Sequence, residues 1–363
     1  MNRLNRLIAL MFLLTLAPAG ATPAEADRIR KSYELAMEEW TLKMKAATTP
    51  EARGTVWSAR PDATPFARKL WALIGNSLAD DWTLESAAWF LRITPGLLAT
   101  DANGSPAPIF LKQSEAIRAA VETHHLQSPK LTSICAALAS STNPRSLALL
   151  EKIQASHPDE KIQGVAALGA AMQLKLLGDD GEIMRRRLTF IRKAIIQASD
   201  VKLDGVTVAQ MAEDELYIIR FLTKGRVAPD LVGVDSANRP LSLSAHKGKV
   251  IVLLFWNSNM QDATRVVEIT TKLQEKFKGR PLVVLGVNSD PLAELRSLQA
   301  EGIVTWPNFS DPENTLAKDY RVGSWPLVYV LDGERKIHYA GAPGSFAELT
   351  AEALVGEIRP VAE

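Results

Sequence analysis

The sequence predicts two architectures in series: an N-terminal α-helical, solenoid-like region over residues 24–222, then an α/β domain with a mixed sheet over residues 226–363. Three observations predict this. Apolar residues recur at helical spacing through the first two hundred or so positions. The character of the chain changes at Thr223–Lys224–Gly225. Beyond that point, buried apolar runs alternate with amphipathic segments and close with a hairpin and a helix, the pattern of a sheet covered on both faces. At 363 residues the chain is too long for one small core. Its 47% hydrophobic and 23% charged residues are those of an ordinary globular protein. A formal net charge of +1 gives no reason to expect nucleic acid or an anionic membrane surface as partner.

The start of the chain reads as a secretory signal peptide over residues 1–21. Asn2–Arg3–Leu4–Asn5–Arg6 is a short basic start, Leu7 to Leu16 an apolar run, and Ala19–Gly20–Ala21 a small-x-small cleavage pattern. The run is too short to span a bilayer comfortably. The expectation is an exported protein, periplasmic or extracellular, with no transmembrane segment once the signal is removed. Cys135 is the single cysteine, so neither an internal disulfide nor a two-cysteine redox cycle is possible within one chain. It sits among apolar helical neighbours, Leu131 to Leu138, as a buried structural thiol would.

Each helical element follows from its spacing. Ile29, Tyr33, Ala36, Met37 and Trp40 share one face; Phe66, Leu70, Leu73 and Ile74 another; Trp89, Phe90 and Ile93 a third. A Gly/Pro-rich break runs from Pro95 to Pro108. Ser128–Pro129, Asn143–Pro144 and His157–Pro158 predict three helix starts, with His157 the poorest cap. Their spacing of roughly 14 residues suggests stacked helical hairpins. Arg185–Arg186–Arg187 reads as a solvated helix face.

In the second region Lys249–Trp256 is a buried strand and Asp262–Phe277 an amphipathic helix. Pro281–Asn288 is a second buried strand and Leu292–Ala300 a helix. Trp306–Phe309 is a brief strand and Glu313–Tyr320 a short helix. Leu327–Asp332 and Lys336–Ala340 flank Gly333–Glu334–Arg335 as a hairpin, and a last helix runs from Ser345 to Ile358.

Several of these stretches carry a resemblance. Val227–Ala228–Pro229–Asp230–Leu231, Leu241–Ser242–Leu243, Lys247–Gly248–Lys249–Val250 and Phe255–Trp256 resemble the entry of exported thioredoxin-like proteins of the TlpA/ResA type. These thiol-disulfide oxidoreductases are grouped with the AhpC/TSA redoxins. Gly286–Val287–Asn288–Ser289–Asp290, Tyr320–Arg321–Val322–Gly323–Ser324–Trp325–Pro326, Leu331–Asp332–Gly333 and Gly341 fit the same pattern. The resemblance covers roughly residues 226 to 358 and implies a thioredoxin-like fold with thiol-disulfide chemistry at the end of the first buried strand.

That chemistry is where the resemblance fails. Counted from Phe255–Trp256, the family's two cysteine positions fall on Met260 and Ala263, neither of which can form a thiolate. No catalytic residue is therefore expected. Asn259 is read as the N-cap of the following helix, in a capping box with Asp262. The resemblance also implies that Pro326, after Trp325, presents backbone to peptides; the residues alone say only that Pro326 opens a strand. Trp256, Met260 and Trp325 are expected to form an apolar patch, or else to pack on one another inside the domain. The candidate binding residues are Trp256, Asn259, Met260, Gln261, Asp262, Trp325 and Pro326.

The five histidines, His124, His125, His157, His246 and His338, have no metal-ligand spacing, and no phosphate loop or nucleophile elbow occurs. Neither cofactor nor metal is expected. The expected partner is an exported or envelope protein or peptide held without catalysis. The alternatives are thiol chemistry through Cys135 or a partner's cysteine, and a helical scaffold carrying a passive module. The residues leave the oligomeric state open.

Overall fold

The computed structural model describes residues 22–47, 49–100, 104–141, 143–260 and 262–358. The expected signal peptide and Gln261 lie outside the described residues. The chain divides into two compact units, residues 1–162 and 163–363.

The first unit contains the helices Pro23–Ala46, Pro50–Ser58, Thr64–Ile74, Leu84–Ile93, Leu111–His124, Thr132–Ala139 and Pro144–Ser156. The Gly/Pro-rich break holds a small hairpin, Leu98–Thr100 against Pro106–Pro108. Capping chemistry sets several of the starts. Thr22 Oγ1 accepts from the Glu25 N–H ahead of Pro23, and Asn143 Oδ1 accepts from the Arg145 N–H at 2.9 Å ahead of Pro144. The expectation at Ser128–Pro129 is overturned, because the helix there begins only at Thr132. Ser128 Oγ instead donates to Asp81 Oδ2 at 3.0 Å and accepts from the Lys130 N–H at 3.3 Å, closing a turn ahead of the helix. At His157 the helix starts late, at Glu160, and His157 Nδ1 accepts from the Asp159 N–H.

The second unit holds the helices Gly181–Ala198 and Val208–Tyr217 together with the α/β domain. The reason is apolar packing. Val208–Tyr217 runs into a π-turn, Ile218–Leu222, that buries Leu222 against the sheet, with Tyr217, Ile218 and Phe221 packed around it. Within this unit the expected solvated arginine run is also corrected. Arg185 and Arg186 are exposed, but Arg187 is only 1% exposed and pairs with Asp179 at 3.1 Å and Glu215 at 3.0 Å. A charge at that depth requires such partners.

The α/β domain is built on five strands: β1 (Val250–Trp256), β2 (Leu282–Asn288), β3 (Asn308–Ser310), β4 (Leu327–Leu331) and β5 (Ile337–Gly341). Their order is β5–β4–β1–β2–β3, with β1, β2 and β3 parallel and β4 antiparallel to both β1 and β5. Every residue of β1 is buried, as a central strand covered on both faces must be. Alternation sorts its side chains. Val250, Val252, Leu254 and Trp256 meet helices α1 (Ala263–Lys276) and α2 (Ser345–Glu357), whereas Ile251, Leu253 and Phe255 face Leu222, Tyr320 and Tyr329. Among the described residues, no helix is long and apolar enough to cross a membrane.

Candidate functional site

The site lies at the carboxyl ends of β1 and β2, the edge of a parallel sheet where ligands commonly bind. Register places the pieces. Trp256 pairs with Asn288, and the Ser289 N–H donates to Trp256 O at 3.2 Å, so the loops after β1 and β2 run side by side. On the other flank Leu327 pairs with Phe255, which sets Trp325–Pro326 at the same edge. The Trp325–Pro326 peptide is cis.

Asp290 organises the first loop. It is 1% exposed, and its carboxylate accepts from the Ser258 N–H at 2.9 and 3.0 Å, Ser258 Oγ at 2.8 Å and Asn288 Nδ2 at 2.8 Å. Asn259 Nδ2 approaches it at 3.5 Å. A buried carboxylate accepting from that many donors is a structural anchor for the loop. Sequence reading noted Gly286 to Asp290 only as part of a motif. The available signal was an Asn-Ser-Asp cluster directly after an apolar strand.

The predicted site residues do not form one surface. Trp256 is 1% exposed; its Nε1 donates to Asn308 Oδ1 at 2.9 Å and its ring lies 5.9 Å from that of Trp306. Met260 is half-buried and packs against that same face of the sheet. Trp325 packs on the opposite face, its ring 6.5 Å from Phe255. The expected patch of Trp256, Met260 and Trp325 is thus corrected, because Phe255 and Trp256 point to opposite sides of β1. Gly286 makes the Trp256 arrangement possible, since a Cβ there would stand 1.7 Å from Asn308 Oδ1.

The expected capping box fails as well. Helix α1 starts at Ala263 with Asp262 as N-cap in the left-handed region (φ 59°), and no side chain caps it. The exposed Asn259 turns instead toward Asp290, its own N–H held by Asn257 Oδ1 at 3.0 Å. Ala263 and Pro326 are half-buried, and Asp262 is exposed.

The remaining thiol is remote from any such chemistry. Cys135 is fully buried within helix Thr132–Ala139, and burial pushes its thiol up to about 12. Among the described residues, no group of three or more His, Cys, Asp or Glu side chains is arranged to hold a metal ion.

The mixed five-stranded sheet, its helices on both faces and the proline opening β4 define a thioredoxin-like α/β domain. Residues 224–340 match the AhpC/TSA family model, and this region is a redoxin-superfamily domain. Thiol-disulfide oxidoreductase ResA of Geobacillus kaustophilus is 26% identical over 109 residues, covering 30% of this chain and 63% of its own length. Protein DipZ of Mycobacterium tuberculosis is 24% identical over 147 residues, covering 37% of this chain and 21% of its own. The chain therefore spans less than two thirds of either relative. Among solved structures, the thioredoxin domain of a thiol-disulfide oxidoreductase from Bacteroides vulgatus superposes with a TM-score of 0.34 at 23% identity. It covers 37% of this chain and 98% of that one.

Proposed function

We propose that this is an exported pseudoenzyme of the redoxin superfamily, a non-catalytic module that holds a protein or peptide at the edge carrying Trp325 and Pro326. One observation carries the reading: the places where the resemblance calls for thiols hold Met260 and Ala263, while the chain's single thiol is sealed in a helix of the other unit. Thiol-disulfide exchange needs an accessible thiolate, and a thiol fully buried and raised to about 12 supplies none at neutral pH. The half-buried Trp325 and exposed Gly323 and Ser324 offer contact area without a reactive group.

Insulin-disulfide reduction by the purified chain should stay at the uncatalysed background and be unchanged by Cys135→Ser. Turnover above background that Cys135→Ser abolishes overturns the reading. Binding is tested by recovering partners from envelope extract with the full chain and titrating the purified candidate. Trp325→Ala should weaken the complex by about tenfold or more, as loss of an aromatic contact does. An unaffected complex would move the binding surface elsewhere.

A further inference from the structure

Arg321 occupies a position where a chain normally places glycine. Helix Thr315–Asp319 ends in a Schellman closure, with the Val322 N–H donating to Ala317 O and the Arg321 N–H to Lys318 O, each at 3.0 Å. The residue at that corner must be left-handed, and Arg321 has φ 50°. Glycine takes this conformation without steric cost, whereas an arginine pays for its Cβ. What distinguishes Arg321 is its side chain. The guanidinium carbon sits 4.3 Å over the ring of Tyr217, and Nη1 donates to Lys318 O at 2.7 Å. Nε lies 2.6 Å from Asp214 Oδ1, but its N–H is not aligned on that oxygen, so the contact is an ion pair rather than a directed hydrogen bond.

Asp214 and Tyr217 both belong to helix Val208–Tyr217, outside the stretch that matches the family model. Four residues past Arg321 the chain reaches Trp325. We propose that Arg321 is a positioning residue that clamps the Val322–Trp325 stretch to helix Val208–Tyr217, making that helix a built-in part of the peptide-binding edge. The inference rests on the proposed function only in giving the clamped stretch a ligand. Tyr320 supports the same corner from inside, its hydroxyl donating to Pro229 O and its ring 5.3 Å from Phe255.

Hydrogen exchange of the full chain separates a clamp from a mere helix cap. A cap needs only left-handed backbone, which glycine supplies, so under that role Arg321→Gly leaves the loop as protected as before. Under the clamp, Arg321→Gly and Asp214→Ala each speed exchange at the amides of residues 322–325 by about tenfold or more, with β1 unchanged. Asp214→Ala leaves the loop's own sequence intact, so its effect is free of the flexibility glycine adds. Arg321→Asp, which tolerates the left-handed region, should also exchange faster, and adding Asp214→Arg should recover much of the protection. Normal protection in Arg321→Gly or Asp214→Ala, or no recovery in the swapped pair, overturns the clamp. Because the measurement needs no partner, loss of the peptide-binding reading and loss of the clamp are separate results.

Discussion

Two loops meet at the carboxyl edge of the sheet, and they are held by different physics. The loop of residues 257–260 is fixed from beneath by a buried carboxylate, Asp290, whose oxygens are taken up by Ser258 and Asn288. The loop of residues 320–326 is fixed from outside, by a helix closure and by Arg321 against Asp214 and Tyr217. Buried polar contacts are costly to break because both partners lose water and gain nothing. Exposed ion pairs are screened and individually weak, so the second loop is the adjustable one. The loop aligned with a redox motif is thus the more firmly held of the two, and the proposed clamp is the weaker fastening of the loop bearing Trp325.

The largest test of this contrast attacks the support under the first loop. In Gly286→Ala the new methyl would stand 1.7 Å from Asn308 Oδ1 and 2.9 Å from Trp256 Nε1, with backbone on a central strand unable to yield. A loss of ~3 kcal/mol or more is expected in urea unfolding; a near-neutral result would mean the Trp256–Asn308 pair is dispensable. Next, Asp290→Ala strands the Ser258 and Asn288 donors and should cost ~2–4 kcal/mol. It should also raise exchange across residues 257–260 while sparing 322–325. Equal loosening of both loops would dissolve the distinction between them.

The second loop is tested through its helix. A chain beginning at residue 226 removes Leu222 from the core, along with Tyr217, Ile218 and Phe221 around it. It should be less stable than a chain beginning at residue 163 by roughly 2–4 kcal/mol. Equal stability would mean that the α/β core does not need this helix and the residues that follow it. The smallest effect is expected far from both loops, at Asp81 in the first unit. His125 lies 2.8 Å from its carboxylate, and that hydrogen bond holds Asp81 below the usual carboxylate range, against the opposing pull of burial. A depressed carboxyl stabilises the fold above its unfolded value, and the contribution is lost as pH falls through the folded value. Asp81→Asn should therefore make the acid limb of urea midpoints slightly shallower below about pH 5, leaving neither loop changed.

Legibility followed the range of the interactions involved. The α/β elements were readable because strand and helix periodicity is local, and β1 through the closing helix fall within a residue or two of expectation. Asn143 was readable as a cap because the bond it makes spans two residues. Ser128 was not, since its hydroxyl turns to Asp81, 47 positions away, and accepts from Lys130 in a turn rather than a helix. The same holds at the site: the separation of Trp256 from Trp325 follows from alternation along β1, but the roles of Asp290, Gly286 and Arg321 depend on what the fold brings beside them.

By itself the sequence determined that a thioredoxin-like domain follows a helical region and that no cysteine stands at positions 260 and 263. The first rests on local period together with the resemblance of its motifs to a known family, the second on residue identity at two positions. Only the tertiary structure decided that Arg187 is an internal ion rather than a surface one, and that Tyr217 and Leu222 pack with the core of the α/β domain. Burial and charge pairing arise between residues distant in the chain, and no local pattern encodes which side chain will arrive opposite another.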